Sequence, residues 1–489
     1  MSYKKHIIYG SMFFFICSVL ASFVAYITKL VLVRNLSVVD YGLFFSVLTF
    51  VLIFSIFRSL GLNQGLPRFI ADYRIKKKNG EIKSLITGAF IMQFSIALII
   101  VICMWIFSDF LAINYFKDLR ASYLLRLLSL YLPLSIIYVN FVSIFQGLKK
   151  SKLFSLGQLS INLFTLIGVI LGIYLGFEIF SPVLGYLGSF IIFLFIFAAP
   201  LLKNFKYFNY KQKHFFQENK KFLKFSFPLM ITGAGALLIT YIDTILLTYF
   251  DTLANVGIYN IIYPTALLII LIGSSLGSIL LPVITELWIL RKKEYIVDIL
   301  KKINKYLLAF SLPILIILMF FSKKLINLFF GSDYVFGFIA FNILLIGALF
   351  ILFTRINHQA LIAMKEPKKI MYMYLFGALI NIVLNIILIP EYSLTGASVA
   401  STISFIFIWI MSLYYMQKKI SLQFPWRDWG ITLFASGVIP LVLLITSNLF
   451  WNPYFSAGIG LIVAGLAYIL ILYKARIINM EEIKDVFLR

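Results

Sequence analysis

Charge is what this chain has least of. Only 13% of its 489 residues are charged, about half the share of a soluble globular protein. With 62% hydrophobic residues and a mean hydropathy of +0.99, no soluble core could hide the apolar surface, so the main solvent is lipid. Histidine is scarce: His6, His214 and His358 are scattered without metal-ligand spacing, and no metal site is expected. Cys17 and Cys103 both lie in apolar runs, which excludes a disulfide framework. No glycine-rich phosphate loop joins a strand to a helix, so neither an internal ATPase nor a bound cofactor is expected.

What is present is a series of about fourteen apolar runs of membrane-crossing length, from 9–33 to 455–474. The fold class is all-α, a polytopic membrane protein. The first run follows Lys4 and Lys5 like a signal peptide but is too long for one, and reads as a retained helix. The closely spaced pairs 155–177/180–202 and 370–390/393–416 are the hardest to divide.

The formal charge of +24 resides mostly in alternate connecting segments, such as Arg74–Lys78, Lys149–Lys152, Lys203–Lys224 and Arg291–Lys293. The positive-inside rule then places both termini in the cytoplasm of a multi-pass cell-membrane protein. The basic charge is a topology signal, and nucleic acid is not an expected partner. The polar stretch Lys203–Lys224 reads as a cytoplasmic linker between halves.

Those halves are related. Shifting the chain by 215 positions aligns Tyr26–Pro67 with Tyr241–Pro282, matching Tyr26/Tyr241, Gly42/Gly257, Ser59/Ser274 and Pro67/Pro282. Six intervening helices is an even number, so the repeats are parallel, and such repeats place a substrate site at their interface. The expected division is an N-lobe at 1–208, a C-lobe at 209–417 and two further helices with a tail at 418–489.

Charges within apolar runs are expensive and should face a cavity or a partner. Lys29 lies deep in the first run, on a face shared with Ser18, Ser22 and Ala25. Asp243 lies at nearly the same depth of the seventh, on a face with Thr240, Thr244 and Thr248. The two either line a hydrated cavity or form a buried ion pair. Arg58, near the end of the second run, either faces that cavity or snorkels to the interface.

These residues resemble the Wzx-like oligosaccharide flippases, polysaccharide biosynthesis proteins of the multidrug/oligosaccharidyl-lipid/polysaccharide exporter superfamily. The carriers are KLVLVRNLSVVDYGLF (Lys29–Phe44), SLGLNQGLPRFIA (Ser59–Ala71), FSFPLMITGAGALLITYIDTILLTYFDTLANVGIYN (Phe225–Asn260) and NIVLNIILIPEYSLTGASVAS (Asn381–Ser401). The resemblance implies two six-helix lobes, with helices one, two, seven and eight lining a central cavity. It implies transfer of a polyprenyl- or dolichyl-phosphate-linked oligosaccharide to the outer leaflet by alternating access, in surface polysaccharide or glycoprotein assembly. By position, Lys29, Arg34 and Arg58 are the substrate-binding candidates. Asp243 is the ion-coupling candidate, for H⁺ or Na⁺. Ser22, Tyr26, Thr240, Tyr241, Thr244 and Asn260 are the cavity-lining candidates. Glycan-assembly enzymes are the protein partners this role implies. A small-molecule antiporter is the alternative within the superfamily. A membrane polymerase or ligase is a second alternative, opposed by the lack of a long external loop with acidic or histidine clusters. The chain is therefore read as a transporter, not an enzyme.

Overall fold

The computed structural model describes residues 3–204, 206–449 and 453–477. Every regular element among them is helical. In chain order the first are α1 (Tyr3–Asn35), α2 (Val38–Ser59), α3 (Leu62–Ile75), α4 (Asn79–Ile106), α5 (Ser108–Leu111), α6 (Arg120–Ser129), α7 (Tyr131–Gly147), α8 (Ser151–Tyr174), α9 (Ser181–Asn204), α10 (Phe215–Phe250) and α11 (Leu253–Ala266). They continue with α12 (Ile270–Ile289), α13 (Lys293–Phe320), α14 (Ser322–Phe329), α15 (Phe338–Ala363), α16 (Pro367–Ile420), α17 (Trp426–Leu449) and α18 (Pro453–Lys474).

Thirteen helical stretches among the described residues are long and apolar enough to cross a bilayer. One of them, α16, has 54 residues, which is about 81 Å at 1.5 Å per residue. The hydrocarbon core is about 30 Å thick. Ser393, at φ 53° and ψ −137°, breaks α16 into two helices meeting at a kink. The stretch therefore crosses twice, which gives the fourteen crossings expected and divides the second uncertain pair at Ser393. The chain is an all-α polytopic membrane protein.

By packing, the chain divides into two compact units. One is Met1–Ile261 with Ile389–Ser393; the other is Ile262–Leu388 with Leu394–Arg489. In the first unit, Leu66, Ile70, Leu85, Ile86, Ile144 and Phe222 form a core that joins α3, α4, α7 and α10. A phenylalanine core, built on Phe141, Phe145, Phe190 and Phe193, joins α7 to α9. In the second unit, Ile439, Leu443, Tyr468 and Leu472 pack α17 and α18 together against α13. There the Tyr468 hydroxyl donates to the Ala309 carbonyl at 2.6 Å and Trp429 Nε1 donates to the Asn304 carbonyl at 3.2 Å.

Two helices of the first unit run further than their apolar runs suggested. The chain turns at Leu60 and Gly61, both left-handed, then resumes as α3. Glycine adopts that conformation without the Cβ penalty. Helix α10 begins at Phe215, inside the stretch read as linker, because Phe222 is fully buried in the core above. The unit therefore has a hairpin end, with the α1–α2 and α10–α11 turns, and a basic end where α3 finishes and α10 begins.

Candidate functional site

The hairpin end is built from two capped turns. Ser37 caps α2: its Oγ accepts from the Asp40 amide at 3.1 Å and donates to Asp40 Oδ2 at 2.7 Å. At the other turn Asp251 Oδ1 accepts from the Thr252 amide at 2.7 Å, and Thr252 Oγ1 from the Asn255 amide at 3.3 Å. Ser37 and Asp40 stand 215 positions before Thr252 and Asn255, so the repeat includes its caps. Sequence comparison by identity missed this, although the Ser/Thr-x-x-Asp/Asn pattern carries the signal.

The turns meet through their matched glycines. A Cβ on Gly42 would lie 1.8 Å from the Leu253 carbonyl oxygen, and one on Gly257 would lie 2.4 Å from the Val38 carbonyl oxygen. Only hydrogen fits on either side. Around this seam Arg120 pairs with Asp40 at 2.6 Å and with Asp118 at 2.7 Å. Hydrogen bonding from Arg120 holds the Asp118 carboxyl below its ordinary range. Ser393, at its strained backbone angles, donates to Asp251 and accepts from Asn255.

Below the seam lie several of the anticipated residues. Lys29 is half-buried, with Nζ 3.5 Å from the Asn260 carbonyl and 5.2 Å from the Phe45 ring centroid. That carbonyl is available because residue 264 is proline. Proline has no amide hydrogen for the carbonyl four residues back. The Asn260 side chain continues the chain of contacts: Thr244 Oγ1 donates to Asn260 Oδ1 at 3.3 Å. The Thr248 hydroxyl lies 2.7 Å from the Thr244 carbonyl and 3.0 Å from Ser46 Oγ. Asp243 is buried and accepts from the Tyr259 hydroxyl at 2.5 Å. Lys29 thus donates to a carbonyl while Asp243 accepts from a tyrosine, and neither contact is the ion pair left open by the sequence. Tyr26 and Tyr241 are half-buried, whereas Ser22, Thr240 and Arg34 are exposed.

Arg58 does not snorkel. It is 5% exposed and turned inward, where Nη1 donates to Ser135 Oγ at 3.0 Å and to the Leu132 carbonyl at 3.3 Å. Its Nε has no hydrogen-bond partner among the described residues. Arg58 lines a cavity of about 190 Å³ with Ser55, Ser59, Asn63 and Gln64, facing Met230, Gly233 and Leu237 of α10. Asn63 is held by a buried amide chain: Gln93 Nε2 donates to its Oδ1 at 2.9 Å, and Asn140 Nδ2 donates to Gln93 Oε1 at 3.0 Å. The Asn63 carbonyl, released by Pro67, accepts from Ser143 Oγ at 3.1 Å. Gln93 and Asn140 went unnoticed in the sequence because single amides in apolar runs carry no periodic signal.

Toward the basic end the cavity narrows at a second glycine contact. A Cβ on Gly61 would lie 2.2 Å from the Ser226 carbonyl oxygen, and one on Gly65 would lie 2.6 Å from Ser226 Oγ. The buried arginine therefore lies between two helix contacts made by glycine.

Comparison with known proteins follows the same lines. The family model described as polysaccharide biosynthesis protein matches residues 8–288, and the model described as MatE matches residues 228–387. A membrane protein of Methanocaldococcus jannaschii is 28% identical over 507 residues, with 99% of each chain covered. The capsular polysaccharide biosynthesis protein CapF of Staphylococcus aureus is 26% identical, over 58% of this chain and 75% of that one. The probable low-salt glycan biosynthesis flippase of Haloferax volcanii is 22% identical, over 45% and 48%. Among solved structures, the lipid II flippase MurJ in an inward closed conformation superposes with a TM-score of 0.78 at 19% identity, covering 96% of this chain and 100% of that one.

Proposed function

The chain belongs to the polysaccharide biosynthesis protein family of the multidrug/oligosaccharidyl-lipid/polysaccharide exporter superfamily, and from that premise we propose that it flips a lipid-linked oligosaccharide from the cytoplasmic to the outer leaflet. The observation that carries the reading is Arg58. A buried guanidinium with an unused donor, on a polar cavity, is suited to a phosphate group: it keeps its charge and offers donors in a fixed fork. A guanidinium buried to this extent is expensive without an anionic partner.

In this reading the basic end faces the cytoplasm, as does each terminus. The amphiphile's phosphate and sugars enter from that end while its hydrocarbon chain stays in lipid. Parting of the Gly61/Gly65 contact admits the head, and parting of the Gly42/Gly257 seam releases it. Lys29, on the free carbonyl of Asn260, and Arg34, at the end of α1, offer successive cations on the way out. The carbonyl contact of Lys29 is long and is readily exchanged for a phosphate oxygen. Asp243 and Tyr259 supply a titratable or cation-accepting point for coupling to H⁺ or Na⁺. Ligand must bind the two states unequally to move the equilibrium, and the two ends of this path, one at Arg58 and one at Lys29, differ in their cations.

Transfer of a fluorescent lipid-linked oligosaccharide across reconstituted vesicles tests the proposal. Wild-type protein should transfer it and Arg58→Gln should not. The match to the MatE model over residues 228–387 favours a second reading, antiport of a soluble molecule. Transport of a small cation with no lipid-linked sugar moved would select it.

A further inference from the structure

One helical turn beyond the Gly61/Gly65 contact, α3 and α10 enclose a second cleft, of about 350 Å³, lined by Arg68, Phe69, Asp72, Tyr73, Lys221 and Phe225. Its cations are placed unusually. The Arg68 guanidinium carbon sits 4.6 Å from the Phe225 ring centroid. Lys221 Nζ lies 5.9 Å from the Tyr73 centroid, and Lys78, outside the cleft lining, approaches the same ring at 5.8 Å. None of the three has a carboxylate or hydrogen-bond partner among the described residues. Of the carboxylates near Tyr73, Asp72 pairs with Lys76 at 2.8 Å, Glu218 accepts from the Tyr73 hydroxyl, and Glu81 is buried in the first turn of α4. Ring faces orient the cations without consuming their N–H donors.

Depth adds a second argument. A core of about 30 Å is crossed by about 20 helical residues. Counted from Val38, these end near Arg58; counted back from Phe250, they end near Ile231. Arg68 and Lys221 therefore stand beyond the hydrocarbon on the basic side, at the level of lipid phosphates. Along α3 and α10, the cleft and the Arg58 cavity lie on opposite sides of the contact that Gly61 and Gly65 make with Ser226.

We propose that this cleft is a separate phosphate-binding site, at which a phosphate or pyrophosphate head docks on Arg68 and Lys221 before the Gly61/Gly65 contact opens. The site itself follows from the cleft; its place ahead of Arg58 rests on the flippase reading. The head could belong to the lipid-linked sugar or to an anionic bilayer lipid, since the chemistry is shared.

The test is titration of inorganic pyrophosphate into the full-length protein in maltoside detergent, which contains no phosphate. Wild type should bind, and Arg68→Gln/Lys221→Gln should bind at least about tenfold more weakly. The thermal midpoint should not change, because both side chains are exposed. Arg58→Gln should keep pyrophosphate binding, because its cavity lies past the glycine contact. Equal binding by wild type and the double variant, or loss in Arg58→Gln alone, overturns the proposal. Repeating the titration with phosphatidylglycerol in the micelles identifies the source. Competition means bilayer headgroups occupy the site; undiminished binding means it is kept for the lipid-linked sugar, and either result supports a phosphate site. Pyrophosphate binding by a protein that moves no lipid-linked sugar would overturn the flippase reading and leave the cleft standing. Intact flipping with no pyrophosphate binding would do the reverse.

Discussion

Replacing Gly42 by alanine should hold the hairpin end open. The new Cβ would lie 1.8 Å from the Leu253 carbonyl oxygen, 2.8 Å from its carbon and 2.9 Å from the Gly257 nitrogen. Carbon–oxygen contacts settle at about 3.3 Å or more, so α2 and the start of α11 must separate by roughly 1.5 Å. The obstacle is backbone on a capped helix, which cannot rotate aside as a side chain does. Overpacking of this kind costs about 1–3 kcal/mol, which corresponds to about a 5- to 150-fold shift from closed to open. Gly257→Ala, with a clearance of 2.4 Å, should act in the same direction but less. Gly188→Ala, where a Cβ meets nothing within 4 Å, should have no effect. The assay is the rate at which a water-soluble maleimide labels Ser46→Cys, with Cys17 and Cys103 replaced by serine. Ser46 is 1% exposed and lies just below the seam. The rate should rise most with Gly42→Ala. An unchanged rate in folded Gly42→Ala protein would refute the seam as a closure.

Other substitutions examine the parts around it. Pro264→Ala supplies the missing amide to the Asn260 carbonyl, so the helix should gain up to about 3 kcal/mol while Lys29 loses its acceptor; a raised thermal midpoint with slower transport is expected. At the hairpin end, Asp118 is held low by Arg120. Its contribution is therefore present above the ordinary carboxylate range and lost as pH falls through its lowered value. The Arg120 side chain is 49% exposed, so the loss should be at most about 1 kcal/mol, seen as an acid-side drop in thermal midpoint that Asp118→Asn lacks. Asp243→Asn should abolish the dependence of flipping on an ion gradient; flipping that remains gradient-driven in that variant would remove Asp243 from coupling.

The sequence was most informative where a single residue broke an apolar run. Lys29, Arg58 and Asp243 were conspicuous for that reason, and the matched glycines 42 and 257 marked the repeat, though not that the two turns meet there. It was least informative where a function depends on which distant helix comes near. Nothing local to Arg58 distinguishes snorkelling from burial; Leu132 and Ser135, on another helix, decide it. The Asn260 carbonyl was in principle readable from Pro264, but not that Lys29 would reach it. The extension of α3 past Leu60–Gly61 was hidden by polar residues that resemble a loop, although Leu62, Leu66, Ile70 and Tyr73 repeat at helical spacing. With that extension hidden, nothing in the sequence brings Arg68 to the cleft it shares with Lys221.

The most direct measurement is the initial rate of lipid-linked oligosaccharide transfer in proteoliposomes, comparing wild type with Arg58→Gln and Arg58→Lys at equal amounts of folded protein. The account predicts transfer by wild type, none by Arg58→Gln, and at most slow transfer by Arg58→Lys, which keeps a charge but not the fork that reaches Ser135, Leu132 and a phosphate together. Undiminished transfer by Arg58→Gln would contradict it.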